Sequence, residues 1–283
     1  MKIGLLTPFS GQNGNPGDFA RIAESLGYES VWIPEHPAVP ANPATKFPGG
    51  GDIPPIYFSM ADQIVALSMA AATTKSLKLA TGICLVPEHH PVALANQVAT
   101  LDAFSGGRAI FGIGAGWLRE ECDLFAVDFP KRWTQTREYV AAMRELWTHD
   151  EAAFDGKYVK FPAVKCSPKP AQKNGPPVVI GSLDKNALKR VAKWGDGWCP
   201  IRVTPEFMSD KLAELKRECA AVDRDFARLD ITVMGFIQGD RAKVQSELAR
   251  FAATGVSRFV VGLSDFTPDT MPRMLERVAA AYV

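Results

Sequence analysis

Short apolar runs alternate with amphipathic stretches from one end of the chain to the other. The runs at 2–6 (KIGLL), 30–34 (SVWIP), 77–81, 108–113, 177–180, 196–200, 230–236 and 258–261 are brief and largely apolar. Such runs suit parallel strands covered on both faces. The stretches that follow them, at 16–26, 59–73, 91–104, 132–148, 184–194, 205–222, 240–253 and 268–281, predict amphipathic helices. Pro16 opens the first of these and Gly27 follows it, which is the expected asymmetry of helix ends. Eight strand–helix units is the number that closes a barrel. The expected fold is therefore an α/β, (β/α)8 TIM barrel forming a single domain over 1–283. A doubly wound open sheet uses fewer strands and a glycine fingerprint after the first one. Here the first strand is followed by PFSGQNGNPG, which lacks that spacing.

Three connections are too long for simple turns. Residues 35–58 are rich in proline and glycine, 114–131 read GAGWLREECDLFAVDFPK, and 150–176 hold a hairpin pattern (AAFDGKYVKF) before a Pro/Lys-rich loop. The first two follow the second and fourth strands directly. In a barrel of this kind the loops after strand ends form the active face, and long ordered loops tend to be functional.

Charge adds an exclusion. With 32 basic and 31 acidic residues, the formal net charge is +1, so no long-range field recruits nucleic acid or an anionic membrane. The N-terminal apolar run stops at Thr7-Pro8, short of a signal peptide, and no stretch has the roughly 18 apolar residues of a membrane span. Cys84, Cys122, Cys166, Cys199 and Cys219 are scattered and lack a CxxC spacing. That pattern points to reduced thiols and a cytoplasmic protein.

Several short segments have chemical potential. Glu35-His36 follows the second strand; a carboxylate beside an imidazole suits proton transfer, and the alternative is a loop ion pair. Gly82, in ATGIC, ends the third strand, where glycine also suits an ordinary tight corner. Glu88-His89-His90 is a poor chelate, because neighbouring rings seldom hold one ion and no third ligand is suitably spaced; no metal is expected. The GIGAGW segment at 112–117 allows close approach of a cofactor or simply tight packing. Gly181-Ser182-Leu183 precedes a helix expected from about Asp184, an arrangement that suits a phosphate or an ordinary N-cap. GxSxG, HExxH and P-loop motifs are absent from the sequence, so the chemistry points to a borrowed cofactor.

Together, SVWIPEH, ATLDAFSGGRAIFGIGAGW and PPVVIGSLDKNALKRVAKWGDGW resemble the luciferase-like monooxygenase superfamily. The PEH…P loop, Arg132-Trp133 and the long 150–176 segment resemble its coenzyme F420-dependent subgroup. The similarity covers about residues 1–200. It implies a catalytic His36 near the reactive ring, preceded by acidic Glu35. It implies a non-prolyl cis peptide at Gly82-Ile83 against the ring, Gly114, Ala115, Gly116 and Trp117 along the cofactor, and Gly181, Ser182 and Leu183 at its phosphate. Two departures stand out. Many relatives have Gly-Gly at Gly181-Ser182, and some deazaflavin enzymes have Glu where Trp117 stands. The second departure argues against a sugar-phosphate substrate and for a less polar one.

The expected function is hydride transfer between F420 and an organic substrate. The alternatives are an FMN-dependent monooxygenase using molecular oxygen and a non-catalytic flavin-binding barrel. Phe47, Tyr57, Trp117 and Trp133 are the expected substrate-pocket walls. A small-molecule substrate and a homodimer are the expected partners.

Overall fold

The computed structural model describes residues 1–264 and 266–283. Eight parallel strands form the barrel: β1 (Lys2–Leu6), β2 (Ser30–Ile33), β3 (Lys78–Thr81), β5 (Ala109–Gly114), β8 (Val178–Ile180), β9 (Gly197–Trp198), β10 (Asp230–Gly235) and β11 (Arg258–Gly262). Neighbouring strands pair in sequence order, β1 with β11 completes one side, and β3 with β5 closes the ring. A two-residue strand, β4 (Cys84–Leu85), continues the third strand and pairs with the end of β5. The antiparallel hairpin β6 (Ala152–Asp155) and β7 (Lys160–Val164) lies outside the barrel, where the 150–176 segment predicts it.

The outer helices are α1 (Pro16–Ser25), α2 (Gln63–Thr73), α3 (Pro91–Phe104), α5 (Arg132–Thr148), α6 (Ala187–Trp194), α7 (Pro205–Ala220), α8 (Arg241–Thr254) and α9 (Met271–Tyr282). Three of them start three or more residues later than the sequence pattern predicts, α9 among them at Met271 rather than 268. A 3-10 turn occupies Pro55–Ser59, and α2 waits for Asp62, whose carboxylate accepts from the Val65 amide at 2.8 Å. That capping bond makes Asp62 a better start than residue 59. Likewise α6 starts at Ala187 rather than near Asp184. A further short helix, α4 (Arg119–Leu124), lies inside the 114–131 connection. Among the described residues, no helix is long and apolar enough to cross a membrane.

The barrel interior is filled, not hollow. Trp32, Ala80, Ile110, Val179, Cys199, Met234 and Val260 form its apolar layer, with Leu6 and Ile83 packed against it. Trp32 is fully buried, and its indole N–H donates to Ser30 Oγ at 3.0 Å. Room for that ring comes from glycines: a Cβ on Gly4 would lie 3.2 Å from its indole nitrogen, and one on Gly112 3.1 Å from Cζ3. Below this layer, buried Arg258 bridges Glu29 on one side and Asp230 on the other, at 2.8 and 2.7 Å. This ion cluster closes the N-terminal end. The wide loops and the remaining polar groups gather at the other end.

Candidate active site

Because the strands are parallel, everything that leaves their C-terminal ends meets at one mouth. Glu35 and His36 leave β2, Gly82 and Ile83 leave β3, Gly114 ends β5 and Gly181 follows β8. The Gly82–Ile83 peptide is cis. Ile83 is half-buried and reaches across the neighbouring strand ends. A Cβ on Gly114 would lie 2.4 Å from Ile83 Cδ1, and one on Gly181 2.9 Å from it. The two glycines therefore make room for an isoleucine, which becomes an apolar seat at the barrel mouth.

The loop from Gly114 to Trp117 is fastened from behind. Gly116 has φ +79°, a left-handed conformation that favours glycine, and a Cβ there would meet Glu88 Oε1 at 2.9 Å. Arg132 Nε donates to the Gly116 carbonyl at 2.9 Å, while its guanidinium lies 4.1 Å from the centre of the Phe129 ring.

Glu35 and His36 do not serve each other, which corrects the expected pair. Glu35 turns towards β4 and α3: it accepts from the Leu85 amide at 2.5 Å and contacts His89 Nε2 at 2.9 Å. Burial alone would raise Glu35, but the hydrogen bond and charge of His89 and the Leu85 amide hold it below the usual carboxylate range. His89 moves the opposite way: burial lowers it, and the Glu35 hydrogen bond and charge more than offset this. His36 instead meets Glu121 of α4, with Nδ1 and Oε2 2.5 Å apart. Its other nitrogen, Nε2, accepts from the Trp117 indole at 3.3 Å.

Glu35, His89 and Cys84 carry ligand-type atoms within 4.8 Å of one another. Glu35 is already engaged by two donors, and burial pushes the Cys84 thiol up, away from the thiolate a metal prefers. The arrangement is that of a hydrogen-bonded support beneath the mouth.

A third buried carboxyl, Glu88, stands behind the glycine loop. Burial first, and the Glu121 charge second, push it up to about 8. The Cys122 thiol donates to Oε1 at 3.4 Å, and Oε2 has no hydrogen-bond partner among the described residues.

Above His36 lies an aromatic cluster. Its ring is centred 4.8 Å from Tyr57 and 5.8 Å from Trp117, and Phe47 lies 5.4 Å from Tyr57 and 5.6 Å from Trp117. Three of the four expected walls thus come together. Trp133 does not join their ring contacts; it lies under the Arg190 guanidinium, 4.3 Å away, on the side of the β8 loop. Arg190 in turn pairs with Asp184 at 2.5 Å. Asp184 also accepts from Ser182 Oγ at 2.8 Å and from the Asn186 amide at 2.8 Å. Neither Ser182 nor Asp184 is the N-cap of α6; both belong to the turn before it. Gly181 and Ser182 are half-buried, and Leu183 is exposed.

Glu120 and Glu121 join the site without a strong sequence signal, while Glu88 and His89, read in sequence as a poor chelate, serve as hydrogen-bonding groups behind it. Glu120 Oε1 accepts from the Ala44 and Thr45 amides at 2.8 and 3.0 Å, and Glu121 Oε1 from the Ala38 amide at 3.3 Å. The two glutamates therefore tie the loop after β2 to the loop after β5. Their one sequence signal is the acidic pair directly after GAGWLR.

A closed parallel barrel carries a buried histidine, an apolar seat and a polar turn together at its C-terminal mouth. The luciferase-like monooxygenase family model matches residues 1–279. The chain belongs to this family and is thereby an oxidoreductase. It is 35% identical over 284 residues to an uncharacterised protein of Mycobacterium tuberculosis, covering 99% of this chain and 98% of that one. The coenzyme F420-dependent tetrahydromethanopterin reductase of Methanopyrus kandleri superposes with a TM-score of 0.78 at 18% identity, covering 99% and 98% of the two chains. A type II Baeyer–Villiger monooxygenase of Pseudomonas putida, in complex with FMN, does so at 0.77 and 16%, covering 99% and 97%.

Proposed function

We propose that the chain transfers a hydride between coenzyme F420 and a small, largely apolar organic substrate, with His36 handling the proton. The observation that carries this reading is the setting of His36. One ring nitrogen is held by a buried carboxylate, and the other lies among Tyr57, Phe47 and Trp117 at the mouth.

The mouth suits a ring system joined to a phosphate. Gly82, Ile83, Gly114, Ala115, Gly116 and Trp117 would hold the ring, with Ile83 as its apolar seat. Gly181, Ser182 and Leu183 would hold the phosphate, where Arg190 adds a cation beside Ser182 and Asp184. When bound, the cofactor supplies the hydride chemistry. The chain's own part is positioning, exclusion of water and proton transfer. Burial pushes the Tyr57 phenol up, against the opposing charge of Arg202, so Tyr57 stays a neutral donor beside His36. Phe47 and Trp117 cover the same space with apolar surface, which favours a substrate of low polarity.

FMN with molecular oxygen is the second reading, supported by the FMN-containing Pseudomonas putida structure. Both cofactors share a ribityl-phosphate portion, so one pocket serves either. Titration of the purified chain with F420 and with FMN, each followed by absorbance, separates them. The expected result is F420 binding and substrate turnover without oxygen uptake. Preferential FMN binding with substrate-dependent oxygen uptake would replace this reading with the second. Cofactor binding with no turnover across a broad substrate screen would leave a non-catalytic barrel. A homodimer and a cytoplasmic location belong to the same proposal. Phe58, Val65 and Met69 are exposed apolar residues that a partner copy would cover, and sedimentation of the pure chain tests this.

A further inference from the structure

We propose that Glu121 is the positioning residue of the site: it holds His36 in the tautomer protonated on Nδ1, leaving Nε2 as the atom that gives and takes protons. The inference rests on the reading that His36 handles the proton, and it names the atom and the residue behind it.

Two contacts determine the tautomer. An indole N–H is a donor only, so the Trp117 contact at 3.3 Å requires Nε2 to carry a lone pair. The proton of a neutral imidazole then lies on Nδ1, facing Glu121 Oε2 at 2.5 Å. A carboxylate accepts that proton's hydrogen bond, and the hydrogen bond at one ring nitrogen sets the state of the other. Both side chains are almost fully buried, at 7% and 1% exposure, so water does not compete for the bond. Glu121 is itself held by the Ala38 amide on Oε1 and by its place in the first turn of α4.

The ionisable groups near the pair are Tyr57 on the loop after β2, Glu88 beneath it, Cys122 on α4, and Arg132, whose charge acts on Cys122. Glu88 stays protonated to about 8, and burial also pushes the Cys122 thiol up. The carboxyl that His36 meets is Glu121, whose Oε2 lies 2.5 Å from Nδ1.

In the direction of substrate reduction, the substrate atom left with an electron pair after hydride arrives takes the proton from Nε2 of the imidazolium. The N–H bonding pair stays on Nε2, and the neutral ring keeps its Nδ1–H on Glu121. Substrate oxidation runs the same transfer backwards.

Nitrogen-15 NMR of histidine-labelled protein, without cofactor or substrate, tests this, with the His36 signals assigned by loss in His36→Gln. The neutral ring should show a protonated Nδ1 and an unprotonated Nε2. Glu121→Gln puts an amide that can donate as well as accept in front of Nδ1, so the fraction of the neutral ring protonated on Nδ1 should fall. A neutral parent ring protonated on Nε2 would overturn the proposal, as would a Glu121→Gln tautomer ratio equal to that of the parent. Should Glu121→Gln fail to fold by circular dichroism, the parent spectrum alone decides. Because no cofactor is present, this result is independent of cofactor choice. A chain with the expected signature that bound neither F420 nor FMN would sink the functional reading and leave this one standing.

Discussion

Replacing Glu88 with Gln should make the protein progressively more stable than the parent as pH rises. Glu88 is 4% exposed, one of its oxygens is unpartnered among the described residues, and the charge of Glu121 acts on it. Its carboxyl is pushed from 4.5 up to about 8. Between those values the unfolded chain releases a proton that the folded chain retains, so the folded state loses stability as pH rises. The stabilisation is complete below the unfolded value and is lost as pH climbs through the folded one. The slope is about 1.4 kcal/mol per pH unit, which amounts to roughly 2 kcal/mol between pH 6 and pH 8. Gln has the shape of the protonated acid and does not titrate. The assay is urea denaturation of both proteins at pH 6, 7 and 8. The stability of Glu88→Gln minus that of the parent should rise by roughly 2 kcal/mol across the series. Groups common to both proteins largely cancel in that difference. A difference that stayed flat, or fell, would show that Glu88 ionises normally in the fold and would refute the argument from burial and like charge.

Three further outcomes are expected. His36→Ala should lower turnover by about 10²–10⁴ while cofactor affinity stays within about tenfold; turnover at the parent rate would make His36 structural only. Ser182→Asp should weaken cofactor binding, because it sets a second carboxylate beside Asp184, where like charge repels a phosphate. Ser182→Ala should bind within a few-fold of the parent, and equal affinity for all three proteins by titration would move the phosphate elsewhere. Trp32→Ala should cost about 3–5 kcal/mol of stability by denaturation, since it empties the barrel layer between Gly4, Gly82 and Gly112; a loss under about 1 kcal/mol would mean that layer collapses around the gap.

The barrel was legible because its signals are repeated. Each buried strand must be apolar along its length, each outer helix must be amphipathic, and eight such units leave few alternatives. Boundaries moved where a local bond overrode the pattern, as where Asp62 delays α2 to Gln63. Helix α4 has only six residues, fewer than two turns, too few for a helical period to show in the sequence.

The site was legible in place but not in partnership. Glu35 and His36 stand where β2 ends, yet their adjacency in sequence suggests a pair that the fold separates. On extended backbone, successive side chains point to opposite faces. A carboxylate and an imidazole at consecutive positions leaving a strand are therefore directed towards different neighbours. Here Glu35 takes Leu85 and His89 from the third strand–helix unit, and His36 takes Glu121 and Trp117 from the fourth. The partner of His36 lies 85 positions away, on a helix too short to predict. Since α4 supplies the carboxylate, and Glu120 beside it binds the Ala44 and Thr45 amides, one turn of helix both sets the proton on His36 and anchors the loop that carries Phe47 and Tyr57. Proton position and pocket shape therefore depend on the same short element, and a change that displaced α4 would disturb both together.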